Sequence, residues 1–179
     1  MPLCFLPAWT LRWRVLNPML LSTEGTILAS CAATKFKWAV NVSGGGYHHA
    51  HCKSGGGFCI YPDITLAVHY VQTRLNLKRV MIVDLDAHQG NGHERDHLEN
   101  PDVFIVDAYN HRIYPGDMEA RRAIGLDIPI TYSTTDEKYL EEMDAIGTEI
   151  DSFKPDFVLY NAGTDILEGD PLGGLSITA

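Results

Sequence analysis

The sequence lacks any apolar stretch that approaches the roughly 18 residues needed to cross a bilayer. Its first residues, MPLCFLPAWTLRWRVLNPMLL, resemble a signal peptide only superficially, because Arg12 and Arg14 interrupt the apolar run and no basic segment precedes it. We therefore expect a protein without a membrane span that resides in the nucleus, the cytoplasm or both.

The chain also lacks an excess of positive charge and any CxxC pair. Asp and Glu outnumber Lys and Arg by 23 to 14, so the net charge of −9 argues against direct binding of nucleic acid. Four cysteines in 179 residues are too sparse for a small disulfide scaffold. We expect them to be reduced and not to bind metal, while a Cys/His zinc site around His51 and Cys52 remains an alternative.

What the sequence does contain is an alternation of strand-like and helix-like segments. The strand candidates are residues 36–42, 80–83, 103–106 and 157–160. Helices are predicted from apolar spacing at 64–75, from polarity at 91–99, and from an N-cap at Thr135 or Asp136 up to Pro155. This alternation predicts an α/β protein with a mostly parallel central sheet.

Three polar clusters each follow a strand candidate: SGGGYHHAH, DLDAHQGNG and NAGTD. Ligands bind beyond the carboxyl ends of the strands in parallel sheets, so we expect the three clusters to share one crevice. Asp86, His88 and Asp165 would then form a three-ligand metal site with one open position, which is typical of catalytic zinc. Asp84 would orient a histidine. Taken singly, each cluster is also compatible with a solvated loop.

Five motifs in order, GGGYHHAH, GGGFC, DLDAHQGNG, NHRIYPGD and NAGTDILEGDPLGGLS, resemble the zinc-dependent histone deacetylases of the arginase/deacetylase superfamily. The wording DLDAHQGNGHERD and YNAGTDILEGD looks most like the class IV branch. The resemblance covers residues 26–178 and implies a three-layer αβα fold. We interpret residues 1–25 as a divergent or truncated N-terminal segment and 26–179 as a partial, incomplete catalytic domain.

The resemblance also implies roles for individual residues. It assigns the zinc ligands to Asp86, His88 and Asp165, and the tandem active-site histidines to His48 and His49. His49 would be the general base and acid, with Asp84 behind His48 and Asn91 behind His49. The walls of an acyl-lysine tunnel would be Gly57, Phe58, Tyr114 and Leu172. A structural potassium ion would be held by Asp84, Asp86, His88, Asp107 and Ala108.

The implied reaction is metal-assisted hydrolysis of N6-acyl-lysine, with acetyl or long-chain fatty acyl groups, in histones or other proteins. Such an enzyme would regulate chromatin and transcription, together with corepressor-type protein partners. In the family, a tyrosine that hydrogen-bonds the developing oxyanion follows beyond the position of residue 179. We also expect the family's N-terminal strand and a rim loop to be missing or replaced here.

Two other functions are kept as alternatives. One is a zinc-binding or acyl-lysine-binding module that does not turn over its ligand. The other is an arginase-like hydrolase with two manganese ions, which would need further carboxylates where Asn91 stands. One metal ion is therefore the favoured interpretation.

Overall fold

A computed structural model describes residues 6–179 of the chain; Cys4 and the other residues of 1–5 lie outside the described part. The description begins with a helical stretch: α1 (Ala8–Leu11), a π-helical turn (Arg12–Leu16) and α2 (Asn17–Phe36). The sequence analysis missed this stretch. It runs across residue 26 without a break, and the division of the chain at that residue stays a prediction.

Hydroxyl groups on one side of α2 allow it to pack closely against the rest of the protein. Ser22, Thr23 and Ser30 are buried, and each donates a hydrogen bond to the carbonyl four residues earlier, at 2.9–3.1 Å. This back-bonding satisfies polar groups that would be costly to bury alone. No helix among residues 6–179 combines the length and apolarity that a bilayer crossing would require.

The sheet contains four strands: β1 (Val80–Asp84), β2 (Val103–Asn110), β3 (Ile124–Ile130) and β4 (Phe157–Asn161). Their spatial order is β3-β2-β1-β4, and all three pairings are parallel. The predicted parallel sheet is thus confirmed. β3 was not predicted, because Gly125 and Pro129 are unfavourable in a strand interior; Pro129 is tolerated since β3 lies at the edge of the sheet.

Helices cover both faces of the sheet and create two separate cores. On one face, α3 (Asp63–Arg74) buries Ile64, Val68 and Val71 against Val80 and Ile82 of β1. The other face packs against α5 (Asp136–Phe153), which begins at Thr135, whose hydroxyl accepts from the Lys138 backbone N–H. Alternate β1 residues face opposite layers, as the period of a strand requires. The expected three-layer αβα architecture is confirmed.

The strand predicted at residues 36–42 is wrong. Phe36 is the last residue of α2, and the following segment is extended without a strand partner among the described residues. Trp38 and Val42 are 74% and 91% exposed. A cavity of about 1020 Å³ separates residues 37–46 from the β4 edge at 156–162. An isolated apolar segment cannot form a strand without a neighbour to accept its backbone hydrogen bonds.

The order of the strands determines where a site can form. The chain moves from β1 outward through β2 to β3, and then returns to the other side of β1 with β4. The carboxyl ends of β1 and β4 therefore flank a topological switch point, where ligands of parallel sheets bind. The last β1 residue, Asp84, pairs in register with Asp107 on β2 and Asn161 on β4.

Candidate metal centre

Three of the predicted site residues meet directly beyond β1 and β4. One ligand atom each of Asp86, His88 and Asp165 lies within 4.8 Å of the other two. Nδ1 of His88 is 3.1 Å from Asp86 Oδ1 and 2.8 Å from Asp165 Oδ2. The backbone fixes both carboxylates, because the N–H of His88 donates to Asp86 and that of Ala87 donates to Asp165. The predicted convergence is therefore present.

The electrostatics of this group favour a cation. Hydrogen bonds from the His88 ring to the Asp165 and Asp86 carboxylates raise the pKa of His88 to about 9. Burial opposes ionisation of Asp165, but its hydrogen bonds with His88 and the Ala87 backbone N–H, together with the charge of His88, lower the pKa of the carboxyl. Two carboxylates directed at one imidazole nitrogen provide a charge and donor set that suits a divalent metal ion. The residues fit the metal cofactor that the sequence predicts.

His48 is held by a buried carboxylate with several donors. Its Nδ1 lies 2.9 Å from Asp84 Oδ2, and the same oxygen is 2.9 Å from His93 Nε2. The Asn161 amide donates to the other oxygen at 2.8 Å. Although burial alone would lower the pKa of His48, the Asp84 carboxylate outweighs it and the pKa is raised. Asp84 thus holds His48 in one orientation, as predicted for the carboxylate behind it.

His49 has a different partner and a different charge. Its Nδ1 is 2.9 Å from Asn91 Oδ1. The Asn91 amide donates in turn to Asp117, which two hydrogen bonds from Arg95 hold in place at 2.6 and 2.7 Å. Because Asp117 only accepts, the amide oxygen must face His49, so Nδ1 carries the proton and Nε2 is free. Burial, followed by the charge of His48, lowers the pKa of His49 to about 4.

Asp63 fixes the loop that carries the two histidines. Its carboxylate accepts from the backbone N–H groups of Gly46 and Tyr47, at 2.9 and 2.7 Å, and from the Thr26 hydroxyl at 2.7 Å. Gly92 closes the loop from the other side: its N–H donates to the His48 carbonyl, and an added Cβ would lie 2.2 Å from the Ala50 carbonyl oxygen. Only glycine therefore allows this contact.

Two of the four predicted tunnel residues, Gly57 and Tyr114, lie next to the His49 ring. A Cβ added at Gly57, which has a φ of +47°, would lie 2.1 Å from the His49 ring. The Tyr114 ring stands edge-on to His49 with centroids 4.9 Å apart. Phe58 and Leu172 are 92% and 60% exposed. Large exposed apolar side chains next to a polar site are consistent with contact to an apolar ligand, and the tunnel itself stays a prediction.

The residues predicted to hold potassium divide between two groups. The side chains of Asp84 and Asp107 lie together with His93, all buried, while those of Asp86 and His88 belong to the metal centre described above. Ala108 is fully buried on β2. Burial, together with the charge of Asp84, raises the pKa of Asp107 well above its ordinary value. The potassium site stays a prediction.

Sequence reasoning missed three residues that organise the centre: Asp63, His93 and Asn161. Asp63 lies in the first turn of α3, where acidic residues are common. His93 lay in the polar stretch 91–99, which forms α4 (Asn91–Asp96), yet Gly92, His93 and Glu94 on this helix are buried. A histidine and a glutamate inside a helix that follows a metal motif are a signal that could have indicated a buried polar network.

Comparison with known proteins identifies the family. The histone deacetylase domain matches residues 11–179. Histone deacetylase 2 of Arabidopsis thaliana is 48% identical over 178 residues, which are 99% of this chain and 46% of the relative. The crystal structure of the HDA15 HD domain is 26% identical with a TM-score of 0.75, covering 88% of this chain and 50% of that one.

A further solved structure, an acetylpolyamine aminohydrolase from Burkholderia pseudomallei, shares the fold with a TM-score of 0.75 at 24% identity, over 88% of this chain and 48% of the other. The chain spans about half the length of the relatives that it matches. The domain match and the 48% identity extend over nearly the whole sequence. This chain belongs to the histone deacetylase family.

Proposed function

We propose that this protein is part of a zinc-dependent lysine deacylase, which hydrolyses N6-acyl groups from lysine side chains of histones or other proteins. The observation that carries the proposal is the convergence of Asp86, His88 and Asp165 within 4.8 Å, with the His49 ring 5.9 Å from that of His88. A metal site beside a neutral histidine is the arrangement that amide hydrolysis needs.

Zinc suits the donor set. Asp86 and Asp165 contribute carboxylate oxygens and His88 contributes an imidazole nitrogen, and these three ligands leave a position open. Bound there, zinc would supply Lewis-acid polarisation of the acyl carbonyl and of a water molecule. A structural potassium ion would belong to the neighbouring buried group around Asp84 and Asp107, partly through backbone carbonyls.

His49 would carry the proton. With Nδ1 donating to Asn91, its Nε2 can accept a proton from the attacking water and later return it to the departing lysine nitrogen. The low pKa of about 4 keeps His49 neutral and ready to act as a base at neutral pH. His48, held by Asp84 and with a raised pKa, would remain a hydrogen-bond donor to the substrate. His49 would thus transfer the proton, and His48 would donate a hydrogen bond.

The substrate would enter along Tyr114, Phe58, Leu172 and Gly57. A long acyl chain would gain from their exposed apolar surface, whereas an acetyl group would use little of it. We therefore include long-chain fatty acyl-lysine together with acetyl-lysine. The family relationship supports a role in chromatin and transcription, with corepressor-type partners, in the nucleus or the cytoplasm.

Zinc analysis of variants tests the proposal. We expect about one tightly bound zinc per chain at the proposed centre, and a sharp decrease in His88→Ala and Asp165→Ala. Glu168→Ala is the matched control, because Glu168 is an exposed carboxylate in the same loop as Asp165. Unchanged zinc in both ligand variants would overturn the metal assignment. Release of acetate and of a long-chain fatty acid from lysine peptides would then test the activity itself.

A protein that binds zinc or acyl-lysine without turnover is the second candidate. Peptide binding without acid release would support it. An arginase-like site with two metals is less favoured, because Asn91 is hydrogen-bonded to His49 and Asp117 instead of offering a further carboxylate.

A further inference from the structure

A second group of metal-binding side chains lies outside the candidate centre. One ligand atom each of His51, Cys52 and Asp96 lies within 4.8 Å of the other two. His51 and Cys52 belong to the turn that follows the tandem histidines, and Asp96 is the last residue of α4. The Asp96 carboxylate raises the pKa of the Cys52 thiol through a hydrogen bond, so the two groups face each other.

We propose that His51, Cys52 and Asp96 form a second transition-metal site, distinct from the centre at Asp86, His88 and Asp165, and that its ligand is a divalent ion of the zinc type. Cys52 would bind as a thiolate, His51 through an imidazole nitrogen and Asp96 through a carboxylate oxygen. Water would complete a tetrahedral set, since Cys52 is exposed.

The backbone around the group is already organised. The N–H of His51 donates to the Ser54 carbonyl and the N–H of Ser54 donates to that of His51, at 2.9 and 3.1 Å, so the turn is closed. Both Asp96 oxygens accept from the Cys52 N–H, at 3.0 and 3.1 Å. The ligands therefore need small side-chain rotations and no rearrangement of the chain.

The donor set selects the class of metal. A thiolate with an imidazole suits zinc and cobalt, whereas calcium and magnesium prefer oxygen ligands throughout. Binding would proceed without oxidation or reduction: the Cys52 sulfur forms a bond to the ion, and its proton passes to solvent. For Cys52, such a site corresponds to the alternative that the sequence left open, a Cys/His zinc site around His51 and Cys52.

A metal at this position would connect the histidine loop to α4. Asn91, at the start of α4, holds His49, and the N–H of Gly92 donates to the His48 carbonyl at 2.7 Å. At the end of the same helix, the ion would join Asp96 to His51 and Cys52. The loop that carries both active-site histidines would then be fixed to α4 at two places.

Cobalt provides a test that separates the two sites. The proposed active centre offers only nitrogen and oxygen, so a thiolate-to-cobalt charge-transfer band in the near ultraviolet would report on sulfur ligands alone. Titration of the purified, reduced chain with Co²⁺ should produce this band and bind about two ions per chain. Asp165→Ala should lower the number of ions by one and leave the band intact, so failure of either site is distinguishable from failure of the other.

Variants test whether the charge-transfer band comes from the site at His51, Cys52 and Asp96. Cys52→Ser should abolish it, and Asp96→Asn should weaken the second binding event at least about tenfold while keeping an acceptor for the Cys52 N–H. Cys31→Ser is the control, because Cys31 lies on α2 and belongs to none of the metal-binding groups of residues 6–179. No band in the unmodified chain, or a band that survives Cys52→Ser, would overturn the proposal; survival would point to another cysteine, such as Cys4.

Discussion

The two edges of β4 differ strongly. One edge pairs with β1 beside a set of hydrogen-bonded polar side chains, and the other has no strand partner among residues 6–179. On the side of β1, Asp84 accepts hydrogen bonds from His48, His93, Asn161 and the Asp86 backbone N–H. On the other side, β4 faces a cavity of about 1020 Å³, and no strand pairs with this edge among residues 6–179. One strand thus separates the hydrogen-bonded Asp84 carboxylate from a strand edge that has no partner among the described residues.

We define the edge patch as the exposed apolar side chains on either side of that cavity: Trp38, Val40, Val42, Val158 and Tyr160. None of them belongs to the candidate metal centre, whose residues are positioned by backbone hydrogen bonds and by the pairing of β1 with β4. From this difference we expect that metal binding and self-association depend on separate parts of the molecule, so that each can be changed without the other.

The largest expected effect is on turnover, and it comes from removing His49, the proposed general base on the β1 side of β4. In a chain extended to the length of its relatives, His49→Ala should lower turnover by about 10²–10⁴-fold, which is the usual contribution of a general acid and base. Zinc should remain bound, since His49 is not a proposed ligand. The exposed His69 on α3 provides the control variant, His69→Ala. Steady-state kinetics with zinc analysis measures both, and near-normal turnover would assign the proton transfer to another group.

The second prediction concerns whether the polar residues of the candidate centre are sufficient for full turnover. The resemblance implies a tyrosine beyond the position of residue 179 that donates to the developing oxyanion, and loss of one such donor typically costs about 10²–10³ in rate. Residues 1–179 alone should therefore bind zinc normally and turn over that much more slowly than an extended chain.

Both chains should be assayed on acetyl-lysine and long-chain acyl-lysine peptides. An extended chain with phenylalanine at the tyrosine position is the matched control, and it should be as slow as residues 1–179 alone. Equal turnover by the short and extended chains would show that the described residues contain the whole catalytic machinery.

A smaller effect comes from the network behind the histidines. Asp84→Asn replaces one of two accepting oxygens by an NH2 group, so either the His48 and His93 pair or the Asn161 amide and the Asp86 N–H lose their acceptor. We expect zinc affinity or activity to fall by about 10–100-fold. Asp151→Asn, at an exposed position of α5, is the control for a changed charge. Unaltered affinity and activity would mean that the orientation of His48 does not depend on this carboxylate.

Both the parallel sheet and the convergence of Asp86, His88 and Asp165 could be predicted from the sequence, whereas several surrounding elements could not. Asp86, His88 and Asp165 could be brought together in advance because they follow strands of one parallel sheet, and such strands present their carboxyl ends to one side. Helix α5 could be predicted from Thr135, which caps its N-terminus, and from Pro155, which follows its C-terminal end. These features depend on local patterns that packing does not override.

What could not be predicted depends on distant neighbours. Residues 36–42 have the apolar pattern of a strand, but a strand requires a partner that no local pattern supplies. The helix over residues 8–36 combines apolar, hydroxyl and glycine residues without a clear amphipathic period. Asp63 acts through the backbone of Gly46 and Tyr47, 17 and 16 residues earlier in the chain. Such contacts appear only once the chain is folded.

The smallest expected effect concerns the edge patch. An unpaired strand edge with apolar side chains favours association with another chain, and charged residues prevent it in natural sheets. Val158→Lys should remove roughly 1 kcal/mol of apolar burial from such contacts, so self-association measured by sedimentation velocity should weaken by about fivefold. Leu140→Lys, an exposed apolar position on α5 away from the patch, is the control. Zinc content should be the same in all three proteins, because β4 supplies the centre through its carboxyl end and not through Val158. If Leu140→Lys reduces association as much as Val158→Lys does, general charge would explain the effect and the edge patch would not be its source.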